Sequence, residues 1–229
     1  MRALATYKNI VVLTGAGISH AAGLATYRGP DGLWNDPKQM ELAELAALET
    51  RRGEVTDMFW SFREQTRTAR PTRAHVALAA FEAQCTGKFL IVTQNIDGLH
   101  QRAGSQRVVE YHGNLAHWRC EICGREDDPP AGVVPTCDGQ AMRPDIIFFG
   151  EAIPVAAERE VKTELRECDL FVAIGTSGTV WPAASFVRSA DSAGARTILL
   201  NLEIDDEAMM AYREVHAGTA DDLVPKFFA

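Results

Sequence analysis

The chain has 229 residues, of which 46% are hydrophobic, so it is long enough to bury one sizeable core and a small appended module. Aspartate and glutamate (31) outnumber lysine and arginine (23), and the net charge of -8 gives no electrostatic reason to expect nucleic acid as a partner. Residues 1–7 lack a secretory signal pattern, and no stretch reaches the roughly 18 apolar residues of a membrane span. These features predict a cytoplasmic protein that binds neither nucleic acid nor membrane.

Apolar runs rich in Val, Ile and Leu end in glycine or polar residues and predict buried strands of a parallel sheet. The runs are residues 9–15, 89–94, 107–112, 170–176 and 197–201. Helix-like segments at 40–52 and 72–84 lie between them, and this alternation predicts an α/β fold with a doubly wound parallel sheet.

Two stretches interrupt the alternation of strands and helices. Residues 23–70 are too long for a simple crossover, and residues 116–143 are poor in apolar side chains but contain three cysteines. We expect a small second module, made of a helical insertion and a cysteine-containing ribbon, over about residues 25–70 and 116–143. The core then covers about residues 1–24, 71–115 and 144–229.

A glycine-rich turn with the sequence Thr-Gly-Ala-Gly-Ile-Ser follows the first predicted strand at residues 14–19. Glycines in such a turn let backbone N–H groups approach a pyrophosphate. The dehydrogenase fingerprint would need its third glycine at His20, and the next glycine is Gly23, so the spacing disfavours a dehydrogenase. Taken alone, the motif also fits a purely structural turn.

Polar side chains follow two further predicted strands. Gln94 and Asn95 can bond ribose hydroxyls, and Asp97 can accept from a carboxamide, although Asn, Asp and Gly are also common in plain turns. Residues 175–180 form a second segment rich in glycine and hydroxyl groups, and Asn201 ends the last predicted strand. Ligands of open α/β sheets bind outside the carboxyl ends of the strands, so these groups are predicted to converge on one crevice.

His112 lies at the end of another predicted strand and is followed by Gly113. An unperturbed histidine titrates near neutrality and is the usual general base at cellular pH. An isolated histidine is more often structural, but the neighbouring motifs favour a catalytic role here. His75, inside a predicted helix, lacks such support, and we expect it to pack or to bond at the helix end.

Together these motifs resemble the sirtuin family of NAD-dependent protein deacylases, and the match runs in order along nearly the whole chain. The similar segments are residues 14–19 with Tyr27 and Arg28, residues 93–97, His112 and Gly113, residues 143–151, residues 175–177, Leu200 and Asn201, and residues 218–225. The resemblance implies one catalytic domain with a Rossmann-like core.

The same resemblance implies where NAD binds and how it is used. The acyl-lysine carbonyl would attack the ribose as nicotinamide leaves, and His112, with Asn95 as the second catalytic residue, would activate a ribose hydroxyl to yield O-acyl-ADP-ribose. ADP-ribosyl transfer, NAD hydrolysis and a non-catalytic NAD-binding module remain alternatives. The implied cofactor residues are Gly15, Ala16, Gly17, Ser19, Tyr27, Arg28, Gln94, Asn95, Ile96, Asp97, Gly175, Thr176, Ser177 and Asn201.

The implied partner is an acylated lysine in a protein or peptide, bound as an extra strand. Its expected contacts are Phe148, Phe149, Gly150 and Val180. Trp60 and Arg63 stand where a desuccinylase-like branch of the family carries a Tyr and an Arg that recognise an acidic acyl group. Arg63 fits that pattern and Trp60 departs from it, so an exposed helical arginine beside a packed tryptophan is an equal alternative.

Zinc is the open question of the cysteine-containing ribbon. The family holds structural zinc with two Cys-x-x-Cys pairs, whereas this chain offers Cys120, Cys123 and Cys137, with Val134 in place of the fourth cysteine. Tetrahedral zinc requires four ligands. Asp138 or His117 could be the fourth, or the ribbon could be held by packing alone.

Overall fold

The computed structural model describes residues 4–27 and 32–229, so Arg28 lies outside the described residues. In chain order the strands are β1 (Asn9–Thr14), β2 (Lys88–Thr93), β3 (Val108–Glu110), β4 (Gly113–Arg119), β5 (Glu126–Asp127), β6 (Thr136–Cys137), β7 (Gln140–Ala141), β8 (Arg143–Ile146), β9 (Leu170–Ile174), β10 (Arg196–Asn201) and β11 (Glu214–Ala217). The α-helices are α1 (Pro37–Leu42), α2 (Leu45–Thr50), α3 (Arg52–Thr68), α4 (Arg73–Gln84), α5 (Leu99–Arg102), α6 (Val155–Glu167), α7 (Phe186–Ser192), α8 (Asp206–Ala211) and α9 (Ala220–Phe227).

The main sheet has the strand order β11-β10-β9-β1-β2-β3 in the described part of the chain, and every neighbouring pair is parallel. The chain runs from β1 to one edge and then returns to the middle to build the other edge, which confirms the predicted doubly wound sheet. Ile10 and Val12 pack on one face with α4 and α9, while Val11 and Leu13 pack on the other face with α6 and α7. Burial on both faces explains why these strands are almost continuously apolar.

The predicted second module is also present. It contains α1, α2, α3, the antiparallel sheet β5-β4-β8 and the hairpin β6–β7. Its apolar cluster includes Leu48, Val55, Phe59, Leu115 and Phe148. In the small sheet, β4 begins before residue 116 and β8 ends after residue 143. The residue boundaries of the two modules stay a prediction.

The helix predicted over residues 40–52 is wrong in one respect, because the chain breaks it into α1 and α2. At the break Glu44 forms a parallel bridge with Phe149. Phe149 N donates to Ala43 O and Leu45 N donates to Phe149 O, each at 2.9 Å. A contact with a distant segment therefore takes up backbone groups that the helical pattern alone would have paired. Among the described residues, no helix is long and apolar enough to cross a bilayer.

Candidate functional site

A cavity of about 990 Å³ lies at the carboxyl ends of the central strands, against the small module. The structure brings most of the residues predicted from the sequence to its wall, although their roles stay predictions. Ser19, Asp97, Trp60 and Arg63 do not line it. The predicted residues that do are Gly15, Ala16, Gly17, Tyr27, Gln94, Asn95, Ile96, His112, Phe148, Phe149, Gly150, Gly175, Thr176, Ser177, Val180 and Asn201.

The glycine-rich turn after β1 packs directly on the turn after β9. Gly17 N donates to Gly175 O at 2.9 Å. A Cβ on Gly15 would lie 2.7 Å from Gly175 O, and a Cβ on Gly175 would lie 2.7 Å from the backbone of Gly17. Each glycine is thus required because a side chain there would clash with the other turn. The backbone of both turns lines the cavity.

Alanine at Gly175 is expected to be costly for stability. Gly175 has φ +58, a left-handed conformation that costs an L-residue about 1–2 kcal/mol, and the added methyl group also clashes with Gly17. We expect Gly175→Ala to lower the free energy of unfolding by about 3 kcal/mol in urea denaturation. Gly178→Ala is the matched control, because Gly178 has φ +67 and nothing within 4 Å of the new Cβ; it should cost only about 1 kcal/mol. Equal losses would contradict the packing argument.

Asn95 holds a buried amide at the centre of the cavity wall. Its Nδ2 donates to Gly15 O at 3.1 Å and to Ser19 Oγ at 3.2 Å. Its Oδ1 is buried and has no hydrogen-bond partner among the described residues. Because an unpaired buried acceptor is unfavourable, this atom indicates a donor that arrives with a ligand or a water molecule.

Ser19 and Asp97 form a layer behind Asn95. Ser19 Oγ donates to Asp97 Oδ2 at 2.6 Å, and Leu99 N donates to Asp97 Oδ1 at 2.9 Å. Both oxygens of the carboxylate therefore have protein partners. The two residues therefore support the Asn95 loop, and their direct contact with the cofactor stays a prediction.

His112 lies between β3 and β4 and faces the cavity. Its Nδ1 lies 3.1 Å from Gln94 O, a carbonyl that only accepts, so Nδ1 carries the proton and Nε2 is the free acceptor. Burial lowers the pKa of His112 below its ordinary value, against the raising effect of that hydrogen bond. The imidazole is therefore neutral near pH 7 and is able to accept a proton at Nε2.

The end of the cavity near the small module is apolar and aromatic. Phe59 packs edge-on against Phe148 with ring centroids 5.3 Å apart, and Trp34 stacks on Tyr27 at 5.1 Å. Ala43 also lines this end. No sequence motif marks Phe59, Trp34 or Ala43, because the apolar character of these residues is shared by the residues of the core.

Trp60 and Arg63 lie on α3 but do not line the cavity. Arg63 is 7% exposed; its guanidinium donates to Pro129 O, pairs with Glu64 at 3.0 Å, and lies 4.8 Å from the centre of the Trp60 ring. Trp60 packs edge-on against Trp118 at 5.4 Å. The structure thus places both residues in the packing between α3 and the cysteine-containing ribbon, and their contact with the acyl group stays a prediction.

A buried ion pair fixes the loop that follows β8. Arg143 is 3% exposed and binds Glu151 through Nη1 to Oε1 at 3.0 Å and Nη2 to Oε2 at 2.7 Å. Glu151 Oε2 also accepts from Phe148 N at 3.1 Å. Burial opposes ionisation of Glu151, but these bonds hold its pKa below the ordinary value. The loop over residues 146–151 therefore has a defined shape at the cavity rim.

Two buried histidines pack behind the site. His75 caps α4 with Thr72, as the helix-end interpretation predicted, and its ring centroid lies 4.7 Å from that of His100. His100 Nε2 lies 2.9 Å from Thr14 Oγ1. Burial lowers the pKa of His75 to about 4, although Asp97 and Asp221 raise it. Burial and the neighbouring His75 hold the pKa of His100 well below its ordinary value.

Stability is expected to fall in acid because of this pair. An unfolded histidine binds a proton near pH 6.5, whereas folded His75 resists protonation down to about pH 4. The free energy of unfolding should therefore decrease as the pH is lowered from 6.5 towards 4. His75→Gln keeps a residue suited to the capping box and should flatten this dependence, whereas His20→Gln, at the surface, should not. Parallel pH profiles for His75→Gln and the parent would contradict the assignment.

The three cysteines of the small module lie together. The Sγ atoms of Cys120, Cys123 and Cys137 are all within 4.8 Å of one another. This spacing fits three thiolate ligands of one zinc ion, as the sequence suggested, and no fourth His, Cys, Asp or Glu among the described residues joins the group.

Comparisons with known proteins agree with this architecture. A family model described as the Sir2 family matches residues 15–182. An NAD-dependent protein deacylase of Shewanella oneidensis is 43% identical and covers 96% of this chain and 93% of its own length. A protein of the same description from Thermus thermophilus is 38% identical, over 94% of this chain and 88% of its own.

Solved structures show the same similarity. A Sir2 homolog in complex with NAD superposes with a TM-score of 0.88 at 33% identity and covers 98% of this chain and 89% of that chain. A Sir2 structure with a deacetylated peptide and 3′-O-acetyl ADP-ribose gives a TM-score of 0.84 at 29% identity, over 95% and 91%. The sequence match, the shared fold and the residues around the cavity agree, and the chain therefore belongs to the Sir2 family.

Proposed function

We propose that this protein is an NAD-dependent protein-lysine deacylase that releases nicotinamide, deacylated lysine and O-acyl-ADP-ribose. The observation that carries the proposal is the pairing of two groups at one cavity: His112, with an unprotonated Nε2, and Asn95, with an unbonded Oδ1. A general base and a free acceptor are what a reaction at ribose hydroxyls requires. The relatives described as NAD-dependent protein deacylases support the same conclusion.

The residues present fit NAD. Asn95 Oδ1 lacks a donor, which a ribose hydroxyl can supply. The turns that contain Gly17 and Gly175 can hold the diphosphate through backbone N–H groups. Asn201 and Ser177, at the ends of the neighbouring strands, can hold the adenosine half. The cavity of about 990 Å³ is large enough for a dinucleotide together with an acyl-lysine side chain.

When bound, NAD supplies the ADP-ribose group that accepts the acyl chain as nicotinamide departs. The chain then contributes a proton acceptor, His112 Nε2, and an orienting acceptor, Asn95 Oδ1. Gln94 fixes the tautomer of His112 through its backbone carbonyl, so the base is ready without reorganisation. ADP-ribosyl transfer and NAD hydrolysis begin with the same loss of nicotinamide but do not require this later base, so the placement of His112 favours deacylation.

The acyl group is proposed to be apolar, as in acetyl- or propionyl-lysine. The described residues that line the cavity include no lysine or arginine, while Glu151, Glu203, Asp205 and Asp221 do line it. Arg63, the cation that the family pattern would offer, is held by Pro129 and Glu64. A dicarboxylic acyl group would therefore enter an aromatic pocket with its charge unpaired, which is unfavourable.

An acyl-peptide panel tests both parts of the proposal. We expect NAD-dependent deacetylation of the acetyl-lysine peptide with a kcat/KM at least about tenfold above that for the matched succinyl-lysine peptide. This ratio corresponds to a difference of about 1.4 kcal/mol in transition-state free energy. Arg63→Met should leave this ratio unchanged, because Arg63 is bound to Pro129 O and Glu64 and does not line the cavity. A ratio that favours succinyl and falls in Arg63→Met would refute the apolar assignment and leave deacylation intact, whereas no NAD-dependent product from any peptide would refute deacylation itself.

A further inference from the structure

The cysteine-containing ribbon is built by two short turns that bring the three thiols together. After β4, Cys120 N donates to Arg125 O at 2.8 Å and Gly124 N donates to Cys120 O at 3.0 Å, which folds Cys123 back over Cys120. Between β6 and β7, Asp138 and Gly139 have φ 51 and 81, the positive values of a two-residue hairpin turn. Both turns depend on local backbone geometry, and together they bring the three thiols close to one another.

The distances match the needs of zinc on three corners. Zinc binds sulfur at about 2.3 Å, so two thiolates on a tetrahedral ion lie about 3.8 Å apart. Cys123 Sγ and Cys137 Sγ are 3.6 Å apart, and all three sulfurs lie within 4.8 Å of one another. Only a small shift of the sulfur atoms is needed for them to occupy three of the four corners of a tetrahedral zinc site.

The fourth corner has no protein ligand within the described residues. Val134 packs half-buried against the cluster and offers no donor atom. Asp138 Oδ2 lies 4.0 Å from Cys137 Sγ but does not come within 4.8 Å of all three sulfurs. His117 is paired with Asp128 through Nδ1. Cys123 is exposed, so the cluster has a side that faces solvent.

We propose that the ribbon binds one zinc ion through three thiolates and leaves the fourth position to an exchangeable small donor from solvent, such as water or a nitrogen base. This inference is independent of the chemistry of the cavity. A site with three protein ligands and one open position accepts added ligands and releases its metal faster than a closed four-thiolate site. The ribbon is therefore expected to hold zinc less tightly than a site with four thiolate ligands would.

Cobalt substitution tests the open position directly on the full-length protein. Cobalt(II) bound in place of zinc should give the absorption bands of a tetrahedral three-thiolate site, and added imidazole should shift them. Val134→Cys supplies a fourth thiolate, so its bands should strengthen, should not respond to imidazole, and its zinc should pass to a chelator about tenfold more slowly. Fluorescence of the buried Trp118, which packs with Cys120 and Cys137, reports whether each variant keeps the native ribbon.

Three results would overturn the proposal. Zinc content well below one per chain after incubation with zinc and dialysis would remove the site. Wild-type cobalt bands that do not respond to imidazole would show that the fourth position is closed. A change of those bands in Asp138→Asn, which removes the carboxylate but tolerates the left-handed conformation of this turn, would identify a protein carboxylate as the fourth ligand. The imidazole response uses the unaltered chain, so it decides the question even if Val134→Cys fails to fold.

Discussion

Replacement of His112 by alanine is expected to lower kcat for deacylation by about a hundred- to ten-thousand-fold, the range for loss of a general base. Its Nε2 is the unprotonated ring nitrogen, and its only described hydrogen bond is from Nδ1 to the backbone of Gln94. The substitution removes the base but leaves Asn95 and the glycine turns in place. Calorimetric titration with NAD should therefore still show binding.

His20→Ala is the matched control for this prediction. His20 also lines the cavity, but it is exposed and lies outside the pair formed by His112 and Gln94. We expect its kcat to stay within a few-fold of the parent. If His112→Ala retained substantial turnover, or if both histidine variants lost the same activity, His112 could not be the base.

Removal of the Glu151 carboxylate is expected to destabilise the fold by about 3 kcal/mol, because the buried Arg143 loses its close carboxylate partner, and the Glu121 carboxylate lies 3.8 Å away. Arg143 is 3% exposed and donates two hydrogen bonds to the Glu151 carboxylate, at 3.0 and 2.7 Å. Glu151→Ala also removes the acceptor of Phe148 N. Urea denaturation of Glu151→Ala should show a lower midpoint with an unchanged slope.

The control is Glu158→Ala on α6. Glu158 pairs with Lys162 at 2.6 Å, but the two side chains are 36% and 57% exposed. Solvent screening makes such a pair worth less than about 1 kcal/mol. Similar losses of stability in Glu151→Ala and Glu158→Ala would show that burial of Arg143 contributes little.

The strands and the convergence of the site could be predicted from sequence because both follow from local pattern and simple geometry. Continuous apolar runs require burial on two faces, and parallel strands place their carboxyl ends on one edge. Gln94, Asn95, His112 and Asn201 follow or end three such runs, and the structure places them around one cavity.

The interruption between α1 and α2 could not be predicted, because its cause lies far away in the chain. Apolar spacing continues through residues 40–52, yet Ala43 and Leu45 use their backbone groups on Phe149. Phe59 and Ala43, which belong to the small module, also line the cavity, although no distinctive motif marks them.

Motif position also did not determine which side chains reach the cavity. Ser19 and Asp97 belong to motifs that resemble those of the family, but their polar atoms form hydrogen bonds with each other and with the backbone of Leu99. Trp60 and Arg63 lie one helical turn apart on α3, and their common face packs on the ribbon around Trp118 and Pro129. The side of the molecule that a helix face packs against depends on tertiary contacts, and the identity of one or two residues does not predict it.

The central claim is that acyl removal and NAD cleavage are one coupled reaction at this cavity. Mass spectrometry of an acetyl-lysine peptide incubated with the protein and NAD measures nicotinamide, the deacetylated peptide and the nucleotide product together. We predict equal amounts of nicotinamide and deacetylated peptide, with the acetyl group recovered on ADP-ribose and no product without NAD. Nicotinamide release with the peptide still acetylated, and with ADP-ribose free or attached to protein, would contradict it.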